Sequence, residues 1–473
     1  MNDKPHIGHA YTTIAADIMA RWNRLCGNEV FFLTGTDEHG EKIEKAAVAS
    51  KKTPEQFVDG VVLQFVEMWK TLKITNDDFI RTTEQRHQNA VTEFVKRMYS
   101  NGDVYKGYYE GWYCTPDETF YTELQLNEGK CPQCGREVKK IKEESYFFKL
   151  SKYQDRLLSF YETNPDFLSP SLRKNEIINR VRAGLNDVSI TRTSVNWAIR
   201  FPIDEKHTIY VWVDALINYL SAIGWPSNDF EHFWPANVHI VGKEINWFHT
   251  VIWPAMLFSV GIEPPKKVFA HGWWTVEGKK MSKSLGNAVN PAEVVSKYGL
   301  DAFRYFIFRE MPFGEDGDFS EKGLIARING ELVDDLGNLV YRTLTLSERT
   351  QKIAGIPELD KHLDIEGIKH DMESLNFFAA LEKIWVFIRA SNKYINENQV
   401  WKLSDEKLSN ALYNLLESIR IIAILIKPFM PDASQKITEQ LGTAEEKISD
   451  CIFKEFNGTP KRGSYLFTKI KIT

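Results

Sequence analysis

Apolar residues along this chain fall into three textures. Over residues 10–25, Ile14, Ile18, Met19, Trp22 and Leu25 recur at helical spacing, and Gly27 follows as a stop, which predicts a helix. The run Val30-Phe31-Phe32-Leu33 predicts a short buried strand ending at Gly35, and a charged turn then leads into a helix over 43–50. Helix, buried strand and helix in this order point to a parallel sheet. Residues 102–148 differ, with aromatics alternating with polar residues (YKGYYEGWYCTPDETFYTEL) among clustered turn residues, and this predicts a small strand-rich insertion. Strands are predicted again at 208–212, 238–241 and 268–271, with helices between them. Beyond Asp301 the pattern is almost entirely helical, with long amphipathic runs at 381–395 and 408–427. The expected fold is therefore α/β with a doubly wound parallel sheet, interrupted by the insertion and followed by an all-α bundle. No internal repeat or low-complexity segment stands out.

Composition narrows the class. A chain of 473 residues exceeds one ordinary core, so two to four domains are expected. Hydrophobic residues make up 43% and charged residues 26%, as in a soluble globular protein. The net charge of -5 excludes a globally basic nucleic-acid binder, although a local patch of Lys and Arg would suffice for RNA. Five cysteines in so long a chain do not make a disulfide scaffold, and Cys114, Cys131 and Cys134 lie close enough in sequence to suggest a metal in a reducing compartment. No basic segment followed by an apolar run opens the chain, and the apolar runs at 251–262 and 421–426 are too short to span a bilayer, so a cytoplasmic location without membrane association is expected.

Two short stretches carry candidate chemistry. In His6-Ile7-Gly8-His9 the histidines are three apart on the first turn of the predicted helix, behind Pro5. That turn exposes unpaired N–H groups and the positive end of the helix dipole, a ready anion site, and Gly8 lets a ring or phosphate approach the backbone. A capping or solvated histidine pair is the plainer alternative. Far downstream, Lys280-Met281-Ser282-Lys283-Ser284 lies between Gly278 and Gly286 and reads as a cationic loop suited to phosphates, or as a plain basic turn.

Together, and in this order, the two stretches resemble the HIGH and KMSKS motifs of class I aminoacyl-tRNA synthetases. The segments PHIGHAYT, FLTGTDEHGEKI, YVWVDALINYLSA and VGKEINWFH resemble the methionyl-tRNA synthetase family in particular, and the likeness runs from residue 2 to at least Trp401. The resemblance implies a Rossmann-like catalytic domain in two halves, 1–100 and 201–290, around a connective insertion at 101–200. A linking stem-contact segment at 291–335 and a helical anticodon-binding domain at 336–473 follow. It implies two steps: methionine and ATP give methionyl-adenylate and pyrophosphate, and the methionyl group then passes to the 3′ end of tRNA(Met). Activation needs no enzyme nucleophile, only positioning and charge stabilisation. His6 and His9 would donate to the ATP phosphates, Lys283 with Lys280 would close over the pyrophosphate, and Arg192 matches a family active-site arginine, with a surface ion pair as its plainer reading. Gly8, Gly242, Lys243, Met281, Ser282 and Ser284 complete the implied ATP site, with Mg²⁺ accompanying ATP. Asp37 would hold the substrate ammonium, its alternative being a helix N-cap. Trp212, Ala215, Leu216, Tyr219, Ile245 and His249 would form the methionine pocket, with Tyr219 or His249 offering sulfur a hydrogen bond.

The family often carries a zinc knuckle in the insertion. Here Cys131-Pro132-Gln133-Cys134 is intact, but Cys114 is followed at the partner position by Asp117, so the implied site is Cys114, Asp117, Cys131 and Cys134 around Zn²⁺, with an unmetallated knuckle as the alternative. The insertion is too small for the editing domain of the leucine, isoleucine and valine enzymes. Asn338 and Arg342 match family anticodon contacts and Trp401 a stacking tryptophan, with Val400 where the family usually has proline. Only five residues precede His6 where the family has a strand, so a longer natural chain is expected, and a truncated non-catalytic tRNA-binding relic stands as the alternative function. A small nucleotidyltransferase that uses no tRNA is a third reading, disfavoured by Asn338, Arg342 and Trp401. The chain ends without an added C-terminal tRNA-binding domain, which favours a monomer.

Overall fold

A computed structural model describes residues 5–117, 119–121, 123–276, 278–280 and 289–471, with the backbone alone at Leu124, Asn228, Lys279 and Lys280. The chain forms two compact units. The described residues of the first lie within 31–67 and 76–271; those of the second lie within 5–30, 68–75 and 272–471.

The first unit is α/β. Strand Leu33–Thr36 runs parallel to Asp78–Arg81, with Leu33 opposite Asp78 and Thr36 opposite Arg81. A second parallel sheet has the order His239–Gly242, Val268–His271, Leu168–Ser169. Helices such as Gln85–Ser100 cover these strands, and Phe94 packs between Trp225 and Trp253, with ring centroids 5.5 and 6.0 Å away. The insertion is a four-stranded antiparallel sheet in which Val104–Cys114 pairs with Lys139–Phe148 along its length, flanked by Thr119–Tyr121 and Val188–Ser189.

Two predicted strands shift. The apolar run at 30–33 only enters the ladder at Leu33, because Asp77 binds the backbone of Phe32 on both sides, its carboxylate taking the Phe32 N–H at 2.6 Å and its own N–H reaching the Phe32 carbonyl. The strand predicted at 208–212 stops at Ile209, and Val211–Leu216 is helical, with Tyr210 in extended conformation at its N-cap.

The second unit is mostly helical. Helix Ile7–Leu25 buries Ile14, Ile18 and Trp22, and its Tyr11 packs among Trp274, Phe308 and Phe313 at 5.1–5.5 Å. Deeper in the unit, the fully buried Arg304 guanidinium donates to Asp17 at 2.6 Å and to the carbonyls of Leu72, Pro428 and Phe429. This binds the first helix to the helical region rather than leaving it to the hydrophobic stripe alone. Helices Phe377–Glu397, Asp405–Ile426 and Pro431–Leu441 build the bundle. By length and composition Asp405–Ile426 is long and apolar enough to cross a membrane, a stretch the shorter run at 421–426 does not reveal; here 94% of its most apolar 18 residues are buried. Its apolar girth serves the core.

Candidate active site

The tetrapeptide at the start of the chain builds its own helix cap. His6 is the N-cap of Ile7–Leu25: its Nδ1 accepts from the Gly8 N–H at 3.1 Å, while Nδ1 of His9 accepts from the His6 N–H at 3.2 Å. The capping reading is what these bonds show. With Nδ1 acting as acceptor, each neutral ring carries its proton on Nε2, so each keeps an N–H donor edge. The two rings lie 4.1 Å apart. Gly8 is required by this cap, since a Cβ there would come within 2.9 Å of the His6 ring.

Asp37 follows strand Leu33–Thr36 in the first unit. It does not cap the next helix: Gly40, with φ 109°, stands at the N-cap of Glu41–Ala49, and no side chain caps there. The Asp37 carboxylate reaches solvent yet is crowded by protein. Loss of hydration raises its pKa, and the charges of Asp214 and Glu38 act in the same direction. Glu38 is buried and held by Arg81, at 2.8 and 2.9 Å, and by Thr36 and Thr83. The turn is therefore fixed on both sides of Asp37.

The predicted pocket residues assemble around Tyr219 and His249. Trp212 stacks on Phe248 at 4.1 Å with 13° between the rings, while Ala215 and Leu216 are buried beside it. The helix carrying them breaks at Ile217, and Tyr219 sits on the next short helix, Asn218–Ser221. Burial lowers the pKa of His249 to about 4, so the ring is neutral. Its Nδ1 lies 3.0 Å from the Ile245 carbonyl, an acceptor only, and so must carry the proton; Nε2 then accepts from the Tyr219 hydroxyl at 2.8 Å. This corrects one expectation. Neither Tyr219 nor His249 has a donor left for sulfur, because each donor is spent inside the chain Tyr219–His249–Ile245. What the pocket offers a thioether is aromatic surface, with the Trp212 Nε1–H as an unpaired donor. Burial, followed by the Asp37 charge, raises the Tyr219 hydroxyl well above its ordinary value, which places Asp37 within electrostatic reach of the pocket.

Other predicted residues have mixed settings. Gly242 ends a strand, and a Cβ there would meet the Glu244 carboxylate at 2.5 Å, so the glycine makes room for an exposed acid that sequence reasoning passed over beside Lys243. Arg192 is buried in the first unit. It is paired with Glu143, bonded to Ser194 and laid over the Tyr113 ring at 4.4 Å, and its Nη1 has no partner. Beside it, Gly40, Glu41, Ile209 and Tyr210 help line a small cavity. In the second unit the Lys280 backbone pairs with Thr275 in a short antiparallel ladder. Met281, Ser282, Lys283 and Ser284 lie outside the described residues.

The knuckle closes as the spacing suggested. Ligand atoms of Cys114, Asp117, Cys131 and Cys134 all lie within 4.8 Å of one another. The Cys114 and Cys134 sulfurs are 3.6 Å apart, near the roughly 3.8 Å edge of a tetrahedron with Zn–S bonds of about 2.3 Å. An Asp117 oxygen lies 2.9 Å from the Cys131 sulfur and 3.3 Å from that of Cys114. The donor set fits a four-coordinate divalent zinc.

On the bundle, Asn338 and Arg342 begin and continue helix Asn338–Ser347 one turn apart. Asn338 bonds the Asp334 carbonyl at 3.0 Å and Arg342 bonds Asn396 at 2.8 Å. Trp401 is 46% exposed, on a turn held by Arg349 through the Trp401 and Leu403 carbonyls, with Val400 fully buried beneath. An exposed tryptophan on a pinned turn is a stacking platform.

Comparisons with known proteins agree with this geometry. The family described as tRNA synthetases class I (M) matches residues 1–141 and 137–344, and the anticodon-binding domain of tRNA ligases matches 361–469. A methionine–tRNA ligase of Caldanaerobacter subterraneus is 50% identical across 100% of this chain and 77% of its own length. One of Thermotoga maritima is 49% identical across 99% of this chain and 79% of its own. The crystal structure of Mycobacterium tuberculosis methionyl-tRNA synthetase bound by methionyl-adenylate superposes with a TM-score of 0.94 at 39% identity, covering 99% of this chain and 98% of that one.

Proposed function

Because this chain belongs to the methionyl-tRNA synthetase family of class I aminoacyl-tRNA synthetases, we infer that its sites divide the two steps of methionine–tRNA ligation among them. The chain activates methionine with ATP and Mg²⁺, and charges tRNA with the methionyl group. Nothing favours the non-catalytic reading.

In our reading Asp37 takes the methionine ammonium, and Trp212, Ala215, Leu216, Tyr219, Ile245 and His249 take the side chain. The observation that carries this is a fixed carboxylate within electrostatic reach of an aromatic pocket in which Tyr219 and His249 satisfy each other. Most of that pocket is aromatic and aliphatic surface, which suits a polarisable thioether, and the unpaired Trp212 Nε1–H is its one donor named here. The ammonium pairs with Asp37, leaving the carboxylate of methionine to attack the α-phosphorus of ATP, with pyrophosphate departing. The Nε2–H edges of His6 and His9 stabilise the charge that builds on the phosphates, at a helix N-terminus already positive. Lys280 and Lys283, with Met281, Ser282 and Ser284 between and beside them, supply the cations for the departing pyrophosphate. Gly242, Lys243 and Glu244 serve the nucleotide, and Arg192 contributes the donor at its unpaired Nη1. Asn338, Arg342 and Trp401 read the anticodon of tRNA(Met).

Zinc held by Cys114, Asp117, Cys131 and Cys134 would supply a structural cross-link and no chemistry at the reaction centre. The functional division follows residues 1–100 and 201–290 for activation, 101–200 for the connective insertion, 291–335 for the stem and 336–473 for the anticodon. We further assign a monomer acting in the cytoplasm, where five unpaired cysteines are stable.

The test is aminoacylation of tRNA(Met) by Asp37→Asn. Loss of the ammonium's partner is expected to raise the methionine KM at least about thirtyfold, since truncating a charged hydrogen-bonded pair costs about 2–5 kcal/mol. An unchanged KM overturns the assignment of the ammonium site.

A further inference from the structure

Behind the Asp37 turn lies a buried relay. Nδ1 of His39 is 2.7 Å from Oδ2 of Asp214; Oδ1 of Asp214 is 2.7 Å from Nε2 of His87; Nδ1 of His87 is 2.8 Å from the Ser221 hydroxyl. All four residues are buried. They come from the Asp37 turn, from helix Gln85–Ser100 and from the two short helices that carry Trp212, Ala215, Leu216 and Tyr219. Asp214 is two residues from Trp212, and His39 two from Asp37. The relay therefore joins the carboxylate that receives the ammonium to the wall that receives the side chain.

A carboxylate buried between two neutral imidazoles would be an uncompensated charge, so the cluster favours the one added proton that brings it to neutrality. Burial alone lowers the His39 pKa, but Asp214 outweighs it, aided by Glu38 and Asp37, and the net shift is upward. Among the described residues, the charged groups around His39 are few. Asp37 and Glu38 belong to its own turn, with Glu38 already neutralised by Arg81 of strand Asp78–Arg81. Asp214 faces it from helix Val211–Leu216 and is shared with His87. A further close neighbour is the uncharged Trp197 ring, 5.6 Å away.

We propose that His39 is a proton-linked positioning residue for methionine: it is an imidazolium while the site is empty and releases one proton to solvent when the substrate ammonium settles on Asp37. The inference rests on the assignment of Asp37 to the ammonium. Coulomb's law gives the direction. The charge on the Asp37 carboxylate favours a positive His39; a substrate ammonium seated there adds a like charge nearby and opposes it. The proton leaves from Nε2. Nδ1–H stays on Asp214, so the turn keeps its place in both states and only its charge changes. Binding reads protonated enzyme plus methionine ammonium giving the complex plus one free proton, and charge balances.

The experiment is titration calorimetry of the intact chain with methionine near pH 7, in two buffers of unlike ionisation enthalpy, for the unsubstituted chain, His39→Asn and Asp37→Asn. In His39→Asn the new side-chain amide keeps an N–H for Asp214 but cannot titrate. Proton release from the unsubstituted chain and none from His39→Asn is the expected result. Equal release from both would place the proton on Asp37 or elsewhere and overturn the proposal, as would no release from the unsubstituted chain. Should His39→Asn not fold, the unsubstituted chain still decides. Its methionine KM in pyrophosphate exchange should fall as pH rises through about 6–8, by up to about tenfold per unit, with kcat flat. A KM independent of pH overturns the proposal. Undiminished methionine binding by Asp37→Asn would instead refute the ammonium assignment on which it rests.

Discussion

The Tyr219 hydroxyl donates to Nε2 of His249 at 2.8 Å, while Nδ1 of the same ring donates to the Ile245 carbonyl at 3.0 Å. Removing the tyrosine oxygen leaves a buried acceptor without its donor, at about 1–3 kcal/mol. Tyr219→Phe is therefore expected to raise the methionine KM about tenfold or more while the ATP KM stays near its original value. Steady-state pyrophosphate exchange with each substrate varied in turn checks this, and a raised ATP KM would place Tyr219 elsewhere.

Arg304 and Asp17 make the second prediction. Both are fully buried, and Arg304 also serves three carbonyls. Arg304→Met removes every one of those donors, and breaking a buried pair costs about 3–5 kcal/mol. Urea unfolding should show a loss near the lower end of that range, because Arg21 still neutralises Asp17 from 2.7 Å. An unaltered midpoint would contradict the role given to this cluster.

Asp301 sets a pH dependence. It takes the backbone N–H groups of Asp432 and Ala433 at the start of helix Pro431–Leu441, yet burial still raises its pKa to about 6. The folded state therefore holds this proton more tightly than the unfolded chain. The associated stability is complete below about pH 4, declines as pH rises through 6, and is absent above. Relative to Asp301→Asn, the unsubstituted chain should gain about 1.3 kcal/mol of stability as pH falls from 7 to 5, of the roughly 3 that the whole shift represents. Melting temperatures of both across that range measure it; a constant difference would show that the carboxyl is not raised.

Zinc makes a fourth. Metal analysis of the chain purified under reducing conditions without chelator should find one zinc per chain, lost together with Cys131→Ser. No stoichiometric metal would favour a knuckle held by its strands alone.

Helices with a regular apolar stripe were legible from sequence, because burial on one face leaves a period, as in Ile14, Ile18 and Trp22. Short strands were not placed well. The run at 30–33 is apolar because Phe32 is buried, but its backbone is bound to Asp77 before the ladder begins. Among site residues, those inside local motifs were found: His6, Gly8 and His9 at one helix start, and the four knuckle ligands. The relay could not be, since His39 and His87 lie 175 and 127 positions from Asp214, and a lone buried histidine has no local signature. Direction was also invisible. Spacing brings Tyr219 and His249 together, but only the Ile245 carbonyl decides that the His249 proton sits on Nδ1 and that the Tyr219 proton points at Nε2.

Trp401 tests the anticodon face. Stacking a base on an aromatic ring is worth about 1–3 kcal/mol, so Trp401→Ala should raise the tRNA(Met) KM about tenfold or more and leave tRNA-independent pyrophosphate exchange as it was. Equal tRNA kinetics would return Trp401 to a surface role.

The central claim is that this chain activates methionine in the pocket of Asp37, Tyr219 and His249. Amino-acid-dependent ATP–pyrophosphate exchange, run without tRNA across all twenty amino acids, tests it most directly. Exchange with methionine, and with no other amino acid at comparable kcat/KM, is the predicted result. Exchange driven by a different amino acid, or none with methionine, would contradict the account.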